Sequence, residues 1–237
     1  MLHLPDRYVP DHDANPPLHF AEYGTTRLRA PRNELVLLPQ RMGELTGPVF
    51  SDTAVTAAEA DLTLVGEGEA IGQRIIVHGR VLDSDGRPVP DTLVEVWQAN
   101  AAGRYRHRND SWPAPLDPNF NGVGRCMTDA HGRYRFLTVK PGAYPWGNHH
   151  NAWRPAHIHF SLFGRAFTER LITQMYFPDD PFFFQDPIFN ASPAGARERM
   201  ISVFDYDTTE SNWAPAYKFD IVLRGSNATP FENGEEH

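Results

Sequence analysis

Residues 74–98 read RIIVHGRVLDSDGRPVPDTLVEVWQ, and this stretch decides the fold class. Its first ten residues, 74–83, are rich in β-branched side chains and predict a strand. Ser84, Asp85, Gly86, Arg87 and Pro88 then supply turn chemistry. Residues 92–98 predict a second strand, with Leu93, Glu95 and Trp97 facing one way and Val94, Val96 and Gln98 the other. The pattern repeats downstream. A turn at residues 129–132 precedes a strand over 133–138, and residues 157–163, 171–177 and 217–224 predict further strands. One stronger helical candidate spans 194–203, with Met200, Ile201 and Val203 available to pack. Short strands, Gly/Pro/Asp turns and few helices predict an all-β domain, a β-sandwich. The 21 prolines and 18 glycines are scattered, as many ordered turns require.

Three long segments separate the strands, over 101–126, 141–154 and 178–193, and are expected to be loops. Long loops in a compact domain are functional or disordered. Their content of Trp, Tyr, Phe and Pro argues for order. Upstream of the strands the character differs. Residues 1–17 are proline-rich and charged, residues 35–39 form an apolar run that Pro39 stops, and residues 56–64 predict a short helix. The expected division is therefore an N-terminal arm over 1–70, packing on the core or on a partner subunit, and a β-sandwich domain over 71–237.

The 237 residues suffice to bury a core without cross-links. A formal net charge of −8 argues against nucleic acid or an anionic membrane as the main partner. Cys126 is the single cysteine, so no intrachain disulfide forms and a reducing compartment fits. The chain has no apolar run of transmembrane length and its first residues lack signal-peptide character, so a cytoplasmic protein is expected.

Chemistry is concentrated in residues 144–160, YPWGNHHNAWRPAHIHF. His157 and His159 are two apart and share one strand face, while Ile158 and Phe160 face a core. Two imidazoles on one face can bind a metal ion, or can lie on the solvated face of an edge strand. Tyr144 and Tyr105 lie nearby in Gly/Pro-containing loops. As phenolates they are hard anionic donors that favour an ion such as ferric iron. Singly, each tyrosine is more often a core aromatic with a satisfied hydroxyl.

The runs GRYRH, PLDPNFNGVGR, KPGAYPW, WRPAHIHF, LITQMYF and KFDIVLRG fall in order along the chain. Together they resemble the intradiol ring-cleaving dioxygenases, most closely the β chains of the protocatechuate-cleaving branch, from about Tyr23 to Phe231. The resemblance implies a prealbumin-like β-sandwich and a mononuclear non-haem Fe3+ cofactor. It implies axial ligands Tyr144 and His157, and equatorial Tyr105, His159 and a solvent hydroxide. It places Tyr144 also as a base, Arg154 near the substrate, Gln174 beside an oxygen pocket, Trp146 as a pocket wall and Tyr23 as an arm residue at the site. The substrate class would be a catechol. With protocatechuate and O2 the product would be 3-carboxy-cis,cis-muconate. A homologous α subunit would complete an αβ unit in a larger oligomer. Catechol or hydroxyquinol 1,2-dioxygenases share the ligands but usually carry an N-terminal helical segment, which the proline-rich arm does not resemble. Residues 77–96 and 129–144 also resemble non-catalytic prealbumin-like binding modules, which would leave the two tyrosines and two histidines unexplained. His149 and His150 depart from the family pattern. His107 and His131 fit loop and turn contexts.

Overall fold

A computed structural model describes residues 13–33, 55–147, 150–164 and 170–231. Strand β1, Arg74–Leu82, lies inside a five-stranded sheet. Its other members are β4 (Arg133–Val139), β9 (Val203–Glu210), β10 (Ala214–Lys218) and β11 (Ile221–Val222). β4 pairs antiparallel with β1, whereas β10 and β11 run parallel to it. The second sheet has four strands in the order β3-β2-β7-β8, with β2 Leu93–Trp97, β3 Val123–Met127, β7 His157–Phe163 and β8 Leu171–Tyr176. Most of the strands expected over 74–177 are therefore present.

The two sheets meet in one apolar core. Ile75, Val77, Val81 and Phe136 come from the first sheet, and Val94, Val96, Ile158, Phe160, Leu162 and Met175 from the second. Phe160 joins them, with its ring 5.8 Å from Tyr134, 5.9 Å from Phe136 and 5.3 Å from Phe219. This is the mainly-β, sheet-on-sheet arrangement that alternating apolar faces favour. Buried Gln98 ties the end of β2 to the other sheet, donating to the Val139 carbonyl at 2.8 Å and accepting from the Thr138 hydroxyl at 2.8 Å.

Several elements differ from the sequence reading. The segment 101–126 is not loop throughout, because β3 begins at Val123. The segment 141–154 contains a hairpin, β5 (Tyr144–Trp146) against β6 (Ala152–Arg154). The segment 178–193 folds into a 3-10 turn, Phe183–Gln185, and a short helix; with Thr26–Arg29 as α1, this helix is α2, Pro187–Ala191. The long helix expected over 194–203 is cut short. Helix α3, Ala194–Arg197, passes into a 3-10 turn, Glu198–Met200, and Val203 opens β9 with 66% exposure instead of packing. Ser202 donates its backbone N–H to the Tyr176 carbonyl, which draws the chain into extended form. The helix expected over 56–64 is one 3-10 turn, Ala57–Ala60, with Glu59 accepting from the Thr56 backbone at 2.9 Å. The apolar run 35–39 and His149 lie outside the described residues.

The strand expected over 217–224 is also broken, between β10 and β11. Phe219 donates its N–H to the His78 carbonyl at 2.8 Å, and Asp220 accepts from the Arg80 N–H at 2.9 Å. The break is possible because residue 79 is glycine. A Cβ there would lie 1.9 Å from the Phe219 carbonyl oxygen, a backbone atom that cannot swing aside. Gly79→Ala is therefore expected to destabilise the fold by about 1–3 kcal/mol, the usual cost of overpacking. Urea unfolding of the variant measures this; an unchanged midpoint would show that the strand break tolerates a side chain.

Candidate active site

The four-stranded sheet buries one face in the core and carries a polar, enclosed set of groups on the other. On β7 the alternation puts Ile158 and Phe160 in the core and His157 and His159 on the opposite face, where they are only 1% and 4% exposed. β7 is not an edge strand, so the reading of a solvated histidine pair does not hold. Cross-strand registry adds the neighbours. His159 pairs with Trp97 of β2 and Gln174 of β8, and His157 pairs with Tyr176 of β8. The Trp97 indole stacks on the His159 imidazole at 4.7 Å and 7°. The two histidine rings lie 4.9 Å apart.

The β5–β6 hairpin covers this face. Its register sets Tyr144 opposite Arg154, so one hairpin delivers a phenol and a guanidinium together. The loop bearing Tyr105 is pressed against the same hairpin. Asn100 accepts from the Ala102 and Arg104 N–H groups, and its carbonyl accepts from Gly142 N–H. Gly103, at φ 76°, allows the approach, since a Cβ would lie 2.4 Å from the Ala143 carbonyl oxygen. Asp110 accepts from the Tyr105 N–H at 2.7 Å. The rings of Tyr105 and Tyr144 meet edge to face at 5.4 Å.

A directed hydrogen-bond chain results. Tyr144 Oη lies 3.3 Å from His157 Nε2, and His157 Nδ1 lies 2.7 Å from the Pro155 carbonyl. A carbonyl only accepts, so the proton of neutral His157 is on Nδ1 and the Nε2 lone pair faces Tyr144. Burial, then the Arg154 charge and the His159 ring, hold the His157 imidazole well below the usual histidine range. Burial raises the Tyr144 phenol, against the opposing pull of Arg154 and the Tyr105 hydrogen bond. Two imidazoles and two phenols thus converge. Donor atoms bound at about 2 Å to one small ion stand roughly 3 Å apart when they are neighbours and about 4 Å apart when they are opposite, so the 3.3 Å between Tyr144 and His157 fits neighbouring donors and not the opposed axial pair that the resemblance implies. Among the described residues no group of three His, Cys, Asp or Glu is placed to hold a metal ion, so a metal bound at this site would need the phenol oxygens as ligands. A hard trivalent ion would ionise them where Arg154 alone does not.

The remaining expected residues surround this set. Arg154, 3% exposed, directs Nη1 at Tyr144 Oη, 3.5 Å away. Its Nη2 bonds the fully buried Gln174 side chain. Trp146 lies under the Arg154 guanidinium at 5.5 Å, and Tyr23 of the arm meets Trp146 edge-on at 5.3 Å. All eight residues singled out in the sequence therefore form one contiguous cluster. His107, His131 and His150 are exposed. Sequence reasoning missed three members. Trp97 and Tyr176 were detectable, since each lies on a strand at a position whose cross-strand partner is a histidine. Asp186 had no local signal, because only the fold of 183–191 carries it to Arg154.

Residues 45–225 match a family model described as Dioxygenase. Residues 8–41 match one described as Protocatechuate 3,4-dioxygenase beta subunit N terminal. The chain is 57% identical over 224 residues to the protocatechuate 3,4-dioxygenase beta chain of Burkholderia cepacia, covering 94% of this chain and 95% of that one. It is 32% identical over 206 residues to the protocatechuate 3,4-dioxygenase alpha chain of Pseudomonas putida, covering 82% and 96%. The solved 3-chlorocatechol 1,2-dioxygenase of Rhodococcus opacus 1CP superposes with a TM-score of 0.55 at 25% identity, over 74% of this chain and 69% of that one.

The low basicity of His157 has a consequence for stability. In metal-stripped protein the unfolded chain takes up a proton on this residue below about pH 6.5, whereas the native state does not. Native stability is therefore expected to fall as pH drops from 7 to 5, with a His157 share of up to about 1.4 kcal/mol per pH unit. Denaturant titrations of the parent and His157→Gln measure the share; equal slopes would place a protonated His157 in the native state.

Proposed function

The chain belongs to the intradiol ring-cleaving dioxygenases, and on that premise we propose that it is the iron-binding β subunit of a protocatechuate 3,4-dioxygenase. It cleaves protocatechuate with O2 to 3-carboxy-cis,cis-muconate. The observation that carries this reading is the convergence of two phenols and two imidazoles beside a buried arginine, on one face of one sheet. The prealbumin-like binding modules that share such sheets need none of these groups.

Tyr105, Tyr144, His157 and His159 would hold the ferric ion, which supplies the spin-allowed route to O2 that side chains lack. The chain's own groups do the rest. A catechol must lose protons to bind as a dianion, and Tyr144 Oη is the base placed to take one. Arg154 Nη1, 3.5 Å from that oxygen, offers a permanent positive charge to the negative charge that develops on the ring. Trp97 holds the His159 ring plane by stacking on it. Trp146 and Tyr23 form an aromatic wall that excludes water from the Arg154 side.

Residues 1–70 act as the arm and 71–237 as the catalytic domain in this reading. The arm packs back on the sandwich where Asn15 accepts from Phe231 N–H at 3.0 Å. Similarity to both alpha and beta chains of such enzymes supports a paired α chain, which completes the pocket in an αβ unit of a larger oligomer. No helix among the described residues is long and apolar enough to cross a membrane, which fits a cytoplasmic enzyme.

Co-expressed with its α chain, the protein is expected to consume O2 with protocatechuate much faster than with catechol, giving the carboxymuconate. A preference for catechol would move the assignment to a 1,2-dioxygenase. Tyr105→Phe keeps the ring and removes one oxygen donor. A loss of about 100-fold or more in turnover is expected, as for other groups that stabilise charge at a reacting centre; an unchanged rate would remove Tyr105 from the site.

A further inference from the structure

Arg154 is the cation that contacts Tyr144 of the tyrosine–histidine cluster, and the two ends of its guanidinium lie in different surroundings. Nη1 faces Tyr144 Oη at 3.5 Å. Nη2 points the other way, into a closed polar group made of Gln174 Oε1, Tyr176 Oη at 3.2 Å and Asp186 Oδ2 at 3.1 Å. The Tyr176 hydroxyl is itself 3.1 Å from Gln174 Oε1 and 3.0 Å from Asp186 Oδ2. Nη2 carries two protons and Tyr176 one. These three protons serve the contacts among Gln174, Tyr176 and Asp186, so turning the guanidinium away would break several of them at once.

Asp186 is the charged member of that group and is 0% exposed. Its second oxygen is committed elsewhere, accepting from Ile188 N–H at 2.9 Å as the N-cap of α2. Its backbone carbonyl accepts from the Asn190 backbone N–H at 3.0 Å and from Asn190 Nδ2 at 2.8 Å. Pro187 opens the helix behind it. The carboxylate therefore sits on a rigid 3-10-to-helix corner and not on a pliable loop. A buried anion on a fixed corner, against one end of a buried cation, determines where the other end points.

We propose that Asp186 is a positioning residue for ring cleavage: it locks Arg154 Nη2 and so presents Nη1 to Tyr144 and to the substrate bound beside it. This rests on the function proposed above. The same cap links the site to the arm, because Ile188 lines a small cavity with Tyr23, Thr26 and Arg29. Asp186 thus holds both Arg154 and the wall on which the arm tyrosine sits.

The test is a double-substitution cycle in the iron-loaded protein with its α chain. Asp186→Asn keeps shape and the helix cap but removes the charge. It is expected to lower kcat for protocatechuate at least tenfold while KM stays within threefold. In an Arg154→Lys background, where there is no fork left to orient, the same change is expected to cost less than threefold. A crystal structure of Asp186→Asn should show Nη1 beyond hydrogen-bond reach of Tyr144 Oη, more than about 4 Å away. A merely structural role would instead give equal losses in both backgrounds and an Arg154 that stays in place; either result, or a kcat within threefold of the parent, overturns the proposal. If Asp186→Asn does not fold, Tyr176→Phe removes one partner of the same oxygen and is read by the same cycle, its loss likewise vanishing with Arg154→Lys. If the parent does not cleave protocatechuate, the proposed function falls, while the position of Arg154 in the variant crystal still decides the positioning claim.

Discussion

The register of strand β7 is the constraint on which everything else depends. Its seven residues alternate between two environments that tolerate no exchange: Ile158, Phe160 and Leu162 in the core between the sheets, and His157 and His159 in the polar site. A slip of one residue would bury both imidazoles among Tyr134, Phe136 and Phe219 and expose three large apolar side chains to the site. The core therefore enforces the geometry of the site. The same alternation in β2 and β8 brings Trp97, Gln174 and Tyr176 to the histidines without any dedicated loop.

Around that fixed face, charge is arranged in a dry interior. A buried guanidinium is tolerated because Asp186 neutralises it and Gln174 and Tyr176 share the hydrogen bonds of its Nη2, while Nε has no hydrogen-bond partner among the described residues. The remaining donor end meets the Tyr144 phenol, whose burial disfavours ionisation. Such a site is reluctant to hold negative charge unaided, and becomes receptive when a cation joins the phenols and imidazoles. The acidic net charge of the whole chain, −8, does not by itself repel an anionic substrate, since the charges that line the site act at closer range than the total.

Much of this was legible in the sequence, and the part that was not has physical reasons. β-branched runs with period-two patterning gave away β1, β2, β4, β7 and β8, because each buries a face that its pattern advertises. β9 was missed because VFDYDTTE is largely exposed, with Tyr206 80% exposed, and shows no buried face to detect. β5 and β6 are three residues each, too short for periodicity to register. The break between β10 and β11 depends on Gly79, far away in the chain, and on the Asp220 side chain replacing a ladder partner. The tyrosines and histidines were found because their residue types are unusual in combination. Asp186 was not, because an aspartate before a proline looks like any helix cap until α2 turns it towards Arg154.

The central claim is that Tyr105, Tyr144, His157 and His159 together hold one ferric ion as phenolate and imidazole ligands. The most direct measurement is a visible absorption spectrum of the protein purified with its α chain, with an iron assay on the same sample. About one iron per chain and a strong red-brown charge-transfer band are expected, and the band should shift when protocatechuate is added without oxygen. A colourless protein that fails to take up ferric iron would contradict the account and leave the cluster a structural feature of a β-sandwich binding module.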